Sequence, residues 1–354
     1  MGNPRTPLTP SGMSSRGHPR TPLEPPCKFR RARLRAPLRV PLLLLSALVL
    51  GLGLLTGGAG FGLPDTATAT GQAILELRLC RVVTGFVVGA ALSCAGCALQ
   101  AVLRNPLAEP YILGVSSGGS LGAALVIASG VSLLTPLALP GGAFVTATLT
   151  LLLVCSLAQR AGGYAPNTLI LTGVVVGSML SSLLMLLISF MKARCLHSIT
   201  WWLLGNLQAT SWQLAASVAG LVALAILILC YEARTLDALS LGREAAYHLG
   251  VQSRFSLPLI LGAATLAAAA AVAISGIIGF VGLIVPHVLR RAGCTAHRIL
   301  IPTAALAGGT FLVLCDILAR TVCIPYEIPV GVITSLTGGP FFLWLMLRKR
   351  EVPT

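Results

Sequence analysis

Long runs of apolar residues, separated by short polar stretches, repeat along the chain after residue 39. A helix rising about 1.5 Å per residue needs about 20 residues to cross about 30 Å of hydrocarbon. That length predicts ten spans: 40–57, 80–103, 113–130, 137–158, 168–190, 213–231, 256–275, 279–292, 300–323 and 331–347. The eighth is short and contains Pro286, which predicts a kinked or partly re-entrant helix. Trp201, Trp202 and Trp212 flank a segment at 195–212 that suits a short helix along the membrane surface, because indole rings favour the interface. Residues 1–39 show no apolar period and are rich in Pro, Arg, Ser and Thr, so they read as a disordered cytoplasmic tail. Residues 40–354 then form the transmembrane domain. No small-x-small cleavage site follows the first apolar run, 41–55, which therefore reads as a retained span rather than a signal peptide.

Charge sets the expected orientation. Ten spans place both termini on one side, and both termini are basic. With the termini inside, the inner loops hold Arg104, Arg160, Arg234, Arg243, Arg254, Arg290, Arg291 and Arg298, and the outer loops hold Arg78, Arg81, Lys192 and Arg194. This excess of inner over outer cations follows the positive-inside rule.

Composition narrows the class. Only 10% of the 354 residues are charged and the mean hydropathy is +0.88, against about 25% charge in soluble domains. Soluble enzymes and disordered proteins are excluded on that ground. The net charge of +15 sits on membrane flanks and in the tail, where nine of the 25 basic residues lie, so it implies no nucleic-acid partner. Cys94 and Cys97 form a CxxC, but Ala91, Ser93, Ala95 and Gly96 surround them in an apolar helix, which predicts close packing rather than metal or redox chemistry.

An ATP-driven pump needs a GxxxxGK phosphate loop, and none of the lysines, Lys28, Lys192 and Lys349, follows a glycine. Any ATP energy must come from another polypeptide. An ion-gradient-driven secondary transporter is the alternative, and Asp316 is its single mid-span acid; Arg320, four residues on, is a ready partner that favours a structural pair. No catalytic constellation is present, and His287 and His297 read as structural interfacial residues.

Three segments stand out. Residues 104–125, RNPLAEPYILGVSSGGSLGAAL, open with prolines that break the helix, and Asn105 and Glu109 are placed to cap the exposed backbone. They read as a tight turn or as a constriction at the inner mouth. Residues 235–251, TLDALSLGREAAYHLGV, predict two short helices broken at Gly242, capped by Thr235 and ended by Gly250. They read as surface helices or as a stiff lever for a partner's groove. In 276–291, GIIGFVGLIVPHVLRR, the glycines Gly276, Gly279 and Gly282 suit tight turns and close helix contact.

Together with RLCRVV, HRILIP, DILARTV and EIPVGVITSLTGGPFFLWL, these blocks resemble, in order and across residues 78–347, the permease subunits of bacterial ABC importers for ferric siderophores, haem and cobalamin. The resemblance implies an all-α integral membrane protein of about ten transmembrane helices, of the cobalamin-importer (type II) fold. It implies a cytoplasmic (inner) membrane location, a second copy or close homologue as partner, two cytoplasmic ATPase subunits that use ATP and Mg, and a periplasmic binding protein; the chain itself binds no cofactor. It assigns the 236–250 segment to ATPase coupling, around Leu241, Gly242, Arg243 and Glu244. It assigns Arg78, Arg81 and Arg320 to binding-protein docking, and Asn105 and Leu107 to the cytoplasmic gate. The second gate element carries hydroxyl residues in the family; here GGYAPNTL puts Pro166 and Asn167 there, a departure from the pattern. Ser178, Ser181, Ser182 and Met185 are expected along the pathway. Ferric siderophore ranks first as substrate, then cobalamin, then haem.

Overall fold

The computed structural model describes residues 39–57, 60–131, 135–207 and 211–348; the proposed tail, apart from Arg39, lies outside them. Among the described residues there are thirteen α-helices: α1 (Arg39–Leu55), α2 (Ala69–Val102), α3 (Val115–Ser129), α4 (Ala138–Arg160), α5 (Pro166–Ser189), α6 (Ala193–Leu203), α7 (Trp212–Tyr231), α8 (Ala233–Leu241), α9 (Arg243–His248), α10 (Ser253–Ser275), α11 (Val281–Arg291), α12 (His297–Thr321) and α13 (Val330–Arg348). Ten of them fall on the ten predicted spans. Six, α2, α4, α5, α7, α10 and α12, are long and apolar enough to cross a membrane. A small hairpin, β1 (Thr56–Gly57) with β2 (Gly60–Phe61), joins α1 to α2.

The main departure from the sequence reading is α2. It runs 34 residues, about 51 Å at helical rise, because it starts eleven residues before the predicted boundary. Thr68 caps it, its hydroxyl accepting from the Gly71 amide at 3.1 Å, so the polar stretch before the apolar run is helical too. Every residue from Val88 to Val102 is buried. A helix buried on all sides is the centre of a bundle, and α7, α10, α11 and α12 pack around this one.

Small residues make that packing possible. A Cβ added at Gly89 would sit 2.2 Å from the Gly308 carbonyl oxygen, and one at Gly96 would sit 2.0 Å from the Gly282 oxygen. The backbones of α12 and α11 therefore touch α2 directly. Ser93 donates to the Ala304 carbonyl at 2.6 Å and Cys94 lies against the Ile301 carbonyl at 3.4 Å, so polar atoms in this apolar setting are paired across the contact. Cys94 and Cys97 are fully buried free thiols, as the packing reading required.

The eleven-residue α11 rises only about 16 Å, half a membrane core. Its start is a junction of elements. The Asn206 amide, just beyond α6, donates to the Ser275 carbonyl at 2.8 Å, and the Gly331 amide in α13 donates to Gly205 at 3.2 Å. Gly276 (φ +68°, ψ −155°) has its Cα so close to the Trp202 carbonyl that a Cβ would fall 2.1 Å from that oxygen. Only glycine meets both conditions. The expected surface helix is α6, which buries Ile199 and Trp202 against neighbouring helices and delivers its end to this junction.

These contacts predict that Gly96→Val, by driving a side chain into the α11 backbone, lowers stability by about 2 kcal/mol or more. Gly220, in α7, has open space around it, and Gly220→Ala is expected to change stability by less than about 1 kcal/mol. Thermal unfolding of the detergent-solubilised chain checks both; equal midpoints for the two variants would contradict the packing account.

Candidate functional site

At the end of the bundle where α2 stops and α3 begins, two sequence-predicted elements meet. The α8–α9 pair is broken at Gly242, whose φ of +118° and ψ of 160° lie in a region essentially reserved for glycine. Ala233, Leu236, Ala238, Leu239 and Ala246 face the main core, while Leu241, Arg243, Glu244 and Tyr247 are exposed. One side is thus anchored and the other presents apolar and charged groups together. Gly250 (φ +79°) closes α9 as expected, its amide bonding the Tyr247 carbonyl at 2.9 Å. Thr235 is not the cap. The helix begins at Ala233 with Glu232 at its N-cap, since the chain turns directly out of α7.

The turn at 103–109 touches this break. The Arg104 guanidinium lies 3.4 Å from where a Cβ on Gly242 would be. Asn105 accepts the Leu107 amide at 2.9 Å through its side chain, holding the turn closed, and Leu107 is 39% exposed at the tip. Glu109 acts elsewhere than expected. Its carboxylate accepts the Phe280 amide at the start of α11, and the Tyr111 hydroxyl donates to the Ile278 carbonyl at 2.8 Å and accepts its amide at 3.0 Å. The turn is pinned by side chains to the α10–α11 break. Pro166 and Asn167 are the first residues of α5, with Asn167 exposed. Among the described residues no hydrogen bond joins them to the 103–109 turn.

Two further links were not read from the sequence. Gln100, a buried amide in α2, donates to the Gly282 carbonyl at 3.0 Å and to Ala108 at 3.3 Å, and accepts from Arg290. Its polarity inside an unbroken apolar run was the available signal. Asp237 in α8 accepts both the His297 amide at 2.9 Å and its ring Nδ1 at 2.6 Å. The first turn of α12, which starts after Ala296 and has no side-chain cap of its own, is therefore capped from the neighbouring helix.

At the opposite end, the three arginines form the heart of a charge network. Arg81 grips Asp316 through Nε (3.0 Å) and Nη2 (2.9 Å) and reaches Glu327 through Nη1 at 2.9 Å. Arg320 pairs with the other Asp316 oxygen at 3.0 Å and donates to the Thr56 carbonyl at 3.0 Å. Arg78 donates to the carbonyls of Leu54 (3.0 Å) and Gly62 (2.7 Å), binding the hairpin to α2. The intramembrane Asp316–Arg320 pair is present as expected. Arg320 is 2% exposed, and its donors are used inside the fold. Arg81 and Glu327 keep partial exposure, at 16% and 25% of their side chains.

Removing the shared carboxylate would leave two buried or half-buried guanidinia facing each other. Asp316→Asn is expected to cost about 3–5 kcal/mol, seen as loss of folded yield and a lowered unfolding midpoint. Wild-type stability in this variant would show that the network is not structural.

Comparison with known proteins places these elements in a family. The family model of the FecCD transport family matches residues 42–348. The haemin transport system permease HmuU of Yersinia pestis is 38% identical over 280 residues, covering 78% of this chain and 84% of that protein. The vitamin B12 import system permease BtuC of Shigella boydii is 35% identical over 308 residues, covering 87% and 94%. The solved structure of an inward-facing metal-chelate-type ABC transporter superposes with a TM-score of 0.78 at 32% identity, covering 87% of this chain and 98% of that one. A membrane-spanning bundle with a Gly-broken helix pair at one end and a buried charge network at the other thus joins relatives that are ABC permeases, and the chain belongs to the FecCD transport family.

Proposed function

We propose that this permease carries an iron chelate or cobalamin inward across the bacterial cytoplasmic membrane, as one of two permease subunits worked by a separate pair of ATP- and Mg-using ATPases. Ferric siderophore is the first-ranked cargo; the haem and vitamin B12 relatives make those two the other members of the class. The arginine-rich end, with Arg104, Arg243 and Arg290, is the cytoplasmic one by the positive-inside rule, and both termini are cytoplasmic.

One observation carries the reading: the α8–α9 break at Gly242 lies against Arg104 of the turn that holds Asn105 and Leu107. Leu241, Gly242, Arg243 and Glu244 form the face that an ATPase cleft grips. Motion of that face passes to α12 through Asp237 and His297, and through Arg104 to the gate formed by Asn105 and Leu107, with Pro166 and Asn167 at the start of α5 as its second element. A two-state pathway needs such a bistable link between motor and gate. Along the pathway, α5 offers Ser178, Ser182 and Met185 on an exposed face, where the second permease copy would pack. Asp316, clamped by two guanidinia, is poorly suited to a proton relay, which disfavours an ion-gradient mechanism. A periplasmic binding protein would dock through acidic groups on the Arg81–Glu327 rim and on Arg78, with Arg320 holding Asp316 beneath; complementary charge there speeds encounter.

Gly242→Val forces a branched side chain into a glycine-only conformation and is expected to cut ATP-dependent uptake into proteoliposomes by about tenfold or more. Glu244→Ala, on the exposed face, is the milder companion that leaves the backbone unstrained. Uptake at the wild-type rate in both, with the ATPase still bound, would remove the coupling role.

A further inference from the structure

Beneath the coupling helices lies a cleft of about 320 Å³, lined by Gln100, Arg104, Ser240, Arg290, Thr295 and His297. A water occupies about 30 Å³ in the liquid, so the cleft has room for a tetrahedral oxyanion with part of its hydration. Its chemistry is one-sided. Two guanidinia line it, and among the described residues neither has a carboxylate within ion-pair distance. Arg290 is half-buried and bonds the neutral Gln100 amide oxygen, which leaves its charge uncompensated. Asp237, on the adjoining α8, is already engaged by the amide and ring of His297. His297 is itself 3% exposed, and its buried Nε2 has no hydrogen-bond partner among the described residues. The Thr295 hydroxyl adds a donor at the same wall.

We propose that this cleft binds a phosphate group, carried by a free phosphate or phosphate monoester or by the head group of an anionic lipid. Inorganic phosphate or a monoester, close to doubly charged at neutral pH, matches two guanidinium forks in charge; a phosphodiester head group, singly charged, still offers each fork a non-bridging oxygen. Bound there, the phosphate bridges Arg104 of the gate turn, Arg290 at the end of α11, and Ser240 of α8. It stiffens the same junction through which the coupling helices meet the gate. The site is a property of this chain and does not depend on the identity of the cargo or the motor.

The test is thermal unfolding of the full chain in phosphatidylcholine nanodiscs, titrated with inorganic phosphate against chloride at equal ionic strength. A second arm replaces part of the lipid with phosphatidylglycerol in phosphate-free buffer. A ligand that binds the folded chain raises the midpoint saturably. Arg104 is exposed on a turn, so Arg104→Gln is expected to fold normally and to weaken the apparent affinity by about tenfold; Arg290→Gln gives a second, more buried variant. A rise with inorganic phosphate that Arg104→Gln diminishes identifies a soluble phosphate ligand. A rise confined to phosphatidylglycerol, and likewise diminished, identifies a lipid head group. No rise in either arm, or a rise that Arg104→Gln leaves intact, overturns the proposal.

Discussion

Backbone contact between α2 and its neighbours is the constraint on which the rest of the molecule depends. In hydrocarbon, helices gain nothing from hiding apolar side chains from water, so association rests on close packing and on hydrogen bonds between helices. Gly89 against Gly308 and Gly96 against Gly282 bring three helices to within carbonyl contact. At that distance Ser93 and Gln100 reach neighbouring carbonyls, and α11 can be held although it is too short to cross on its own. A bulkier α2 would move all of these groups at once.

The same closeness explains how the broken helices survive. Chain breaks at 103–109, 242 and 276–280 expose backbone groups that lipid cannot satisfy. Side chains meet the breaks at 103–109 and 276–280 and the start of α12: Glu109 and Tyr111 bond the α10–α11 break, Gln100 bonds both the turn and α11, and Asp237 caps α12. The Asp237–His297, Glu109–Phe280 and Gln100–Gly282 pairs join places that the chain separates by 60, 171 and 182 residues, fastening α8 to α12 and the 103–109 turn to α11. The charge network at the far end has another job. It ties the hairpin, α2 and α12 into one unit through Arg78, Arg81, Asp316 and Arg320.

Local features were legible in the sequence and long-range pairings were not. The ten spans follow from apolar run length, the shortness of α11 from Pro286 and the surrounding glycines, and the Asp316–Arg320 pair from four-residue spacing on one helix. The early start of α2 was hidden because Gln72, Glu76 and Arg78 look like loop residues until Thr68 is recognised as a cap. Arg81 meets Asp316 across 235 residues and Glu327 across 246, distances at which no periodicity carries information. The burial of Arg320 was hidden for the same reason, since its bond to the Thr56 carbonyl comes from a residue 264 positions away. The α8–α9 break at Gly242 was readable as a helix interruption, but its contact with Arg104 emerges only from the fold.

The central claim is that this chain is a conduit whose driving force comes from outside it. The most direct measurement is cargo uptake by proteoliposomes under two conditions: the purified permease alone with an imposed proton or sodium gradient, and the permease assembled with its ATPase partner and binding protein, with ATP and no gradient. The account predicts no accumulation in the first case and ATP-dependent accumulation in the second. Accumulation by the permease alone, driven by the gradient, would contradict it.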